Sequence, residues 1–98
     1  MNVNKDEERT QAIDLTALEI DQLIGIFINL LASKAWQYMG LRLKPGKEDV
    51  EKDLVKAATV IDLVIIMVEK ITPFLIEDDV AKLKSLIADL QLNYARQT

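Results

Sequence analysis

The sequence predicts an all-α protein, in which three antiparallel helices form a bundle that is completed as a homodimer or a higher oligomer. Three observations predict this class. Half of the 98 residues are hydrophobic, only 5% are aromatic, and there are only three glycines and two prolines, a composition typical of helical globular domains. Apolar residues recur at helical spacing, and no segment shows the alternation of a strand. Two of the helices also carry more apolar surface than their neighbours in a three-helix monomer could cover.

The first helix is expected over about residues 17–39. Thr16 and Glu19 have the spacing of a capping box, in which each side chain accepts a hydrogen bond from a backbone amide at the helix start. At the other end, Gly40 suits the left-handed position that follows a helix, so we expect Leu41 to fold back onto Trp36 in a Schellman motif.

The second helix is expected over about residues 47–71 and the third over about residues 77–96. Each begins with acidic side chains, which the positive end of a helix dipole favours. Pro73 ends the second helix because a proline disfavours helical angles at the residue before it. Pro45 and Gly46 supply a turn, and connections of about five or six residues place successive helices antiparallel.

The helices differ in how their apolar residues are arranged. The third helix has one stripe, made of Ile76, Val80, Leu83, Ile87, Leu90 and Tyr94. The first helix is apolar around most of its circumference, and the second repeats this over residues 60–68, a pattern typical of buried helices. Leaving three or four large side chains in water would forgo about 1.5–3 kcal/mol each. We therefore expect a second copy to cover them.

The length indicates a single domain, which we place at residues 16–98 after a flexible, acidic N-terminal arm at residues 1–15. The arm is polar and aperiodic, and residues 1–21 hold six acidic against two basic side chains. No apolar segment reaches the roughly 20 residues that span a bilayer, and the first residues do not resemble a secretory signal. These features predict a cytoplasmic protein with no membrane span.

The amino-acid composition excludes several kinds of catalytic and metal-binding site. The chain has no cysteine and no histidine, which excludes disulfides, thiolate nucleophiles, zinc fingers and histidine acid–base catalysis. A net charge of −4 and a pI near 4.7 argue against nucleic-acid binding. We expect a protein that is not an enzyme and has no catalytic residue, metal or cofactor.

Asp62 is the most suggestive polar residue, because it interrupts the apolar run of the second helix. Burial would raise its pKa and could make it a general acid or base. Two structural interpretations are favoured: Asp62 shares a solvated strip with Thr59 and Glu69, or it accepts a hydrogen bond from Trp36 or Lys34, since buried charges are usually paired.

Gly25, Asn29 and Ser33 form a strip of small residues at intervals of four on the first helix. The strip is either a close helix contact between subunits or a thin line facing solvent. Trp36, near the end of the same helix, is expected to serve packing rather than a membrane interface. With Asp62, these residues are the candidates for packing or for an interface.

The chain resembles an uncharacterised bacterial family, the domain of unknown function 1844, over roughly residues 24–95. The stretches that carry the resemblance are Leu30–Ala35, Met39–Leu41, Pro45, Asp53–Ala58, Ile61–Leu63, Lys70–Thr72, Leu75, Leu86–Leu90 and Tyr94. Before the third helix the family has a Gly-Asn turn and a threonine cap, where this chain has Pro73, Phe74 and Ile76. The resemblance implies a small bacterial helical protein and brings no activity with it.

The function expected from these features is that of a structural or adaptor protein acting through protein–protein contacts, with itself and with an unidentified protein partner. The alternative is a carrier, in which the excess apolar surface lines a pocket for an acyl chain or another apolar small molecule. Peripheral membrane association is a third possibility, weakened by the acidic arm and by the scarcity of basic residues beside the apolar helix.

Overall fold

The structure, a computed structural model, describes residues 14–98. It contains three α-helices, α1 at Ile20–Tyr38, α2 at Leu54–Ile71 and α3 at Glu77–Gln97, and two 3-10 turns, at Leu15–Ala17 and Thr72–Phe74. The described residues form no strand beyond one isolated bridge between Met39 and Lys52. The all-α class and the three helices are therefore confirmed. Except for its last two residues, the arm predicted at residues 1–15 lies outside the described residues.

The helix α1 begins at Ile20, so the predicted start at residue 17 is wrong. The Thr16 hydroxyl and backbone amide both donate to the Asp14 carboxylate, so Asp14 caps a separate 3-10 turn. These two hydrogen bonds lower the pKa of Asp14. Glu19 then forms the capping box with Gln22, whose side-chain oxygen accepts from the Glu19 amide at 3.3 Å. The box exists, but it is displaced by three residues because Asp14 competes for Thr16.

The Schellman motif predicted at the end of α1 is confirmed. Gly40 has a φ of +78°, in the left-handed region. The Leu41 amide donates to the Trp36 carbonyl at 3.0 Å, and the Gly40 amide donates to the Gln37 carbonyl at 3.0 Å. These two bonds define the Schellman motif.

The helix α2 begins at Leu54, so the predicted start near residue 47 and the short connection before it are wrong. The Asp53 amide donates to the Tyr38 carbonyl at 2.8 Å, and the Asp53 carboxylate accepts from the Lys56 amide at 3.1 Å. Asp53 is thus the N-cap of α2 and also ties its first turn to the last turn of α1. The intervening chain forms a long loop whose two ends meet at the Met39–Lys52 bridge.

Within this loop, the turn predicted at Pro45 and Gly46 is present. The Lys47 amide donates to the Lys44 carbonyl at 3.1 Å, and Gly46 has a φ of +80°, as a type II turn requires. Lys44 and Glu51 form an ion pair across the loop at 2.8 Å. Their hydrogen bond lowers the pKa of Glu51 and raises the pKa of Lys44.

The helix α2 ends at Ile71, as predicted, although Thr72 keeps right-handed helical angles and begins the 3-10 turn that contains Pro73. The Thr72 hydroxyl donates to the Val68 carbonyl at 2.6 Å. The third helix follows at Glu77, and its N-cap, Ile76, offers no side-chain hydrogen bond. Ile76 also remains exposed, so it does not join the apolar stripe predicted for this helix.

The core lies mainly between α1 and α2, which form the largest helix contact, while α3 packs chiefly on α2 and touches α1 little. Gly25 and Ile71 line one groove, and Ala58 and Tyr94 line another. Both neighbouring pairs of helices therefore run antiparallel, as predicted. The buried apolar residues are Ile28, Ala32, Ala35, Met39, Ala57, Val60, Ile61, Val64, Val68, Ile71 and Leu90.

Candidate interaction surface

The helix α1 has two apolar faces. Its inner face, with Ile28, Ala32 and Ala35, is buried in the core. On the other side of the helix lies a second set at intervals of three and four residues, which we call the outer face of α1: Ile20, Leu23, Ile26, Phe27 and Leu30. A helix that packs on one side needs one apolar face, so the outer face is not used in packing the helices of residues 14–98 together.

The outer face is not covered within the described chain. Ile20 is 53% exposed, Phe27 37% and Leu30 58%. Leu23 and Ile26 are half-buried, but neither packs against the core cluster. All five side chains are apolar, and several large apolar side chains exposed side by side are uncommon on a protein that works as a monomer.

Acidic side chains lie at the N-terminal end of this face. Glu19, the N-cap of α1, and Asp14, which caps the 3-10 turn before it, are both exposed. Asp21, the first acidic residue inside α1, instead lines the groove shared with Ile71 and Leu75. The N-terminal end of the outer face is therefore negative, while its centre carries no charge.

Lysine side chains surround the C-terminal end. The ammonium groups of Lys34, Lys44 and Lys56 lie 5.0, 5.7 and 5.7 Å from the centre of the Tyr38 ring, distances at which a cation is attracted to an aromatic face. The Lys34 ammonium also donates to the side-chain oxygen of Gln37 at 2.9 Å. This lysine cluster makes the C-terminal end positive, although Glu51 neutralises part of it by pairing with Lys44.

The outward side of α2 is more mixed. It exposes Val55, Leu63 and Ile66. Polar and charged side chains are exposed between and beside them: Lys56, Thr59, Asp62, Glu69 and Lys70. An apolar partner would have to desolvate these groups, so this side is a poorer contact surface than the outer face of α1.

Asp62 is exposed on α2, together with Thr59 and Glu69. This arrangement corresponds to the solvated strip. The Thr59 hydroxyl donates to the Val55 carbonyl at 3.0 Å, and Lys34 donates to Gln37 rather than to Asp62. Asp62 also borders a shallow cavity of about 190 Å³ that includes Gln91 and Tyr94.

The strip of small residues lies beside the outer face rather than on it. Gly25 and Asn29 border an open groove of about 310 Å³, and a methyl group added at Gly25 would meet no described atom within 4 Å apart from those of its own stretch of helix. Ser33 accepts a hydrogen bond from Arg42 at 3.3 Å, and Trp36 is half-buried against the core. Within residues 14–98, Gly25 makes no close contact with another helix, and the role of the strip between subunits stays a prediction.

Neither the outer face nor the lysine cluster was predicted from the sequence. Ile20, Leu23, Phe27 and Leu30 have a recognisable 3-4-3 spacing, but α1 is apolar on so many sides that this set does not stand out. The lysine cluster depends on the loop that joins α1 to α2, and that loop was predicted to be short.

The cavities are open grooves. One of them, about 460 Å³ in volume, lies where α2 gives way to α3 and includes Leu75 and Val80 but also Glu77 and Lys84. Across residues 14–98, no three acidic side chains are grouped so that they could hold a metal ion. None of the helices formed by these residues has the length and apolar character needed to cross a membrane.

Comparison with known proteins gives one result. A family model described as "Domain of unknown function (DUF1844)" matches residues 22–96. That range includes all of α2, all of α1 except its first two residues, and all of α3 except its last residue. No curated protein and no solved structure matches the chain. The chain belongs to the family of the domain of unknown function 1844.

Proposed function

We propose that this protein is a non-enzymatic structural or adaptor protein that self-associates and acts through protein–protein contacts. The observation that supports the proposal is the exposed outer face of α1, where Ile20, Phe27 and Leu30 contact water across an uncharged surface. A face of this kind is typical of an interaction site.

The free energy forgone by leaving the outer face of α1 in water is considerable compared with the stability of a small domain. Full burial of one such side chain contributes about 1.5–3 kcal/mol, so the exposed portions of Ile20, Phe27 and Leu30 together forgo about 2–5 kcal/mol per chain. The total stability of a small domain is only about 5–15 kcal/mol. Covering this face with another protein surface would recover a considerable fraction of that amount.

Light scattering coupled to size-exclusion chromatography tests the proposal. At micromolar concentration we expect a particle with two or more times the 11.1 kDa chain mass. A stable particle of a single chain mass that does not change on concentration would contradict self-association.

The alternative function is a carrier of an apolar small molecule or acyl chain. The groove between the end of α2 and the start of α3 has a volume within the range of ligand sites, roughly 300–1,000 Å³. It is open, however, and Glu77 and Lys84 border it, which suits an acyl chain poorly. Native mass spectrometry of freshly purified protein distinguishes the two functions, because a carrier would show extra mass that is lost on denaturation.

The proposed setting is the bacterial cytoplasm, where the protein would contact itself and a further protein partner rather than nucleic acid. The acidic pI of 4.7 supports the expectation about nucleic acid. Fractionation of bacterial cells that express the protein tests the location, and recovery with the membrane or the periplasm would contradict it.

A further inference from the structure

We infer that two copies of this chain pair antiparallel through the outer face of α1, with Ile20 against the partner's Leu30 and Leu23 against the partner's Phe27. This inference rests on the proposed self-association and adds the surface, the direction and the register. The partner surface is the same face of a second copy, so the contact is symmetric and closes as a dimer.

The spacing of the face supports helix-to-helix packing. Ile20, Leu23, Phe27 and Leu30 follow intervals of three, four and three residues, the repeat by which two helices interlock along a seam. When two such seams run antiparallel and pair their outermost members, the two-fold axis lies between Leu23 and Phe27. Every apolar residue of one seam then meets an apolar residue of the other.

The charges at the two ends of the face determine the direction. Antiparallel pairing brings Glu19, the N-cap of α1, near the partner's Lys34, and it does so at both ends of the dimer. Parallel pairing would instead bring Glu19 beside the partner's Glu19 and one lysine cluster beside the other. Opposite charges across an interface favour the first arrangement and suppress the second.

A second copy also suits the overall charge. Residues 22–98 contain ten acidic and ten basic side chains, because six of the 16 acidic and two of the 12 basic residues fall in residues 1–21. The bodies of two copies therefore carry little net repulsion, whereas an all-acidic or all-basic partner would find no matching surface along the uncharged centre of α1.

Single cysteines test the direction and the register, since the natural chain has none. Ile20→Cys and Leu30→Cys both replace exposed side chains, so the fold of each chain should survive. In the antiparallel dimer the two copies of position 20, like the two copies of position 30, are about 15 Å apart along the helices. Disulfides need Cα atoms within about 7 Å. Each variant oxidised alone should therefore stay uncrosslinked.

The two variants are next mixed under reducing conditions, one of them isotopically labelled, and then oxidised. We expect a covalent dimer that contains one labelled and one unlabelled chain. Crosslinking of either variant by itself would indicate a parallel pair and overturn the inference. Failure of every combination to crosslink, while light scattering still gives a multiple of the chain mass, would overturn the α1 interface and leave self-association standing. A single-chain mass for the unaltered protein would overturn both.

Exchanging the charges of Glu19 and Lys34 tests how much the ends of the outer face contribute to the affinity of the dimer. Glu19→Lys and Lys34→Glu should each weaken the dimer roughly 2- to 30-fold, because each removes two exposed ion pairs per dimer. The double variant restores opposite charges and should recover much of that affinity. Helix content from circular dichroism controls for the role of Glu19 in capping α1. A double variant that binds no better than the weaker single variant would contradict the antiparallel direction.

Discussion

At the residue scale, Leu90 joins α3 to the rest of the molecule. It is the one residue of α3 that is fully buried, while Leu83, Ile87 and Tyr94 of the same stripe are only half-buried against the core. Leu92, on the same helix, is 51% exposed. The two leucines therefore have the same side chain and lie in the same helix, but only Leu90 is buried.

Leu90→Ala is expected to lower the free energy of unfolding by about 2–5 kcal/mol, because it removes a buried side chain and leaves a cavity. Leu92→Ala, the matched control, should change it by less than about 0.5 kcal/mol. Urea unfolding followed by circular dichroism measures both values. Equal losses for the two variants would show that α3 does not pack through Leu90.

Two glycines of the described chain are expected to respond in opposite directions to the same change. Gly40→Ala should destabilise the protein by about 1–2 kcal/mol, because an alanine at φ +78° is strained. Gly25→Ala should stabilise it by about 0.5–1 kcal/mol, since Gly25 lies inside α1 with open space around it. Thermal unfolding of both variants measures the difference. Destabilisation by Gly25→Ala in the single-chain species would contradict this account of α1.

At the element scale, the sequence predicted helix ends better than helix starts. The end of α1 depends on hydrogen bonds among neighbouring residues, so a glycine at position 40 was sufficient to locate it. The start of α2 depends on Asp53 bonding to Tyr38, which is distant in the sequence. Residues 47–52 have no feature that forbids a helix, so only the packing of the loop against α1 shows where the helix begins.

The cap of α2 leads to a prediction about aspartates. Asp53→Ala should cost about 0.5–2 kcal/mol of stability, because the Lys56 amide loses its capping acceptor. Asp62→Ala, the control within the same helix, should be neutral or slightly stabilising, since Asp62 is exposed and alanine is the better helix former. Urea unfolding checks the pair, and a large loss for Asp62→Ala would contradict its placement on a solvated strip.

At the scale of the whole molecule, the excess of apolar surface could be predicted from the sequence, but its position could not. Because α1 is apolar on most sides, its pattern does not distinguish the face that packs against α2 from the face left in water. The structure makes that distinction by burying Ile28 and Ala35 and leaving Leu30 exposed. The positive charge at the C-terminal end of the face also depends on the tertiary structure, because the long loop places Lys44, and the first turn of α2 places Lys56, beside Tyr38.

The most direct test compares the particle mass of the unaltered protein with those of Leu30→Glu and Leu92→Glu by light scattering at micromolar concentration. Both leucines are about half exposed, at 58% and 51%, so neither change should disturb the core. We expect twice the chain mass for the unaltered protein and for Leu92→Glu, and a single chain mass for Leu30→Glu. Three equal masses, or a single chain mass for the unaltered protein, would contradict the account.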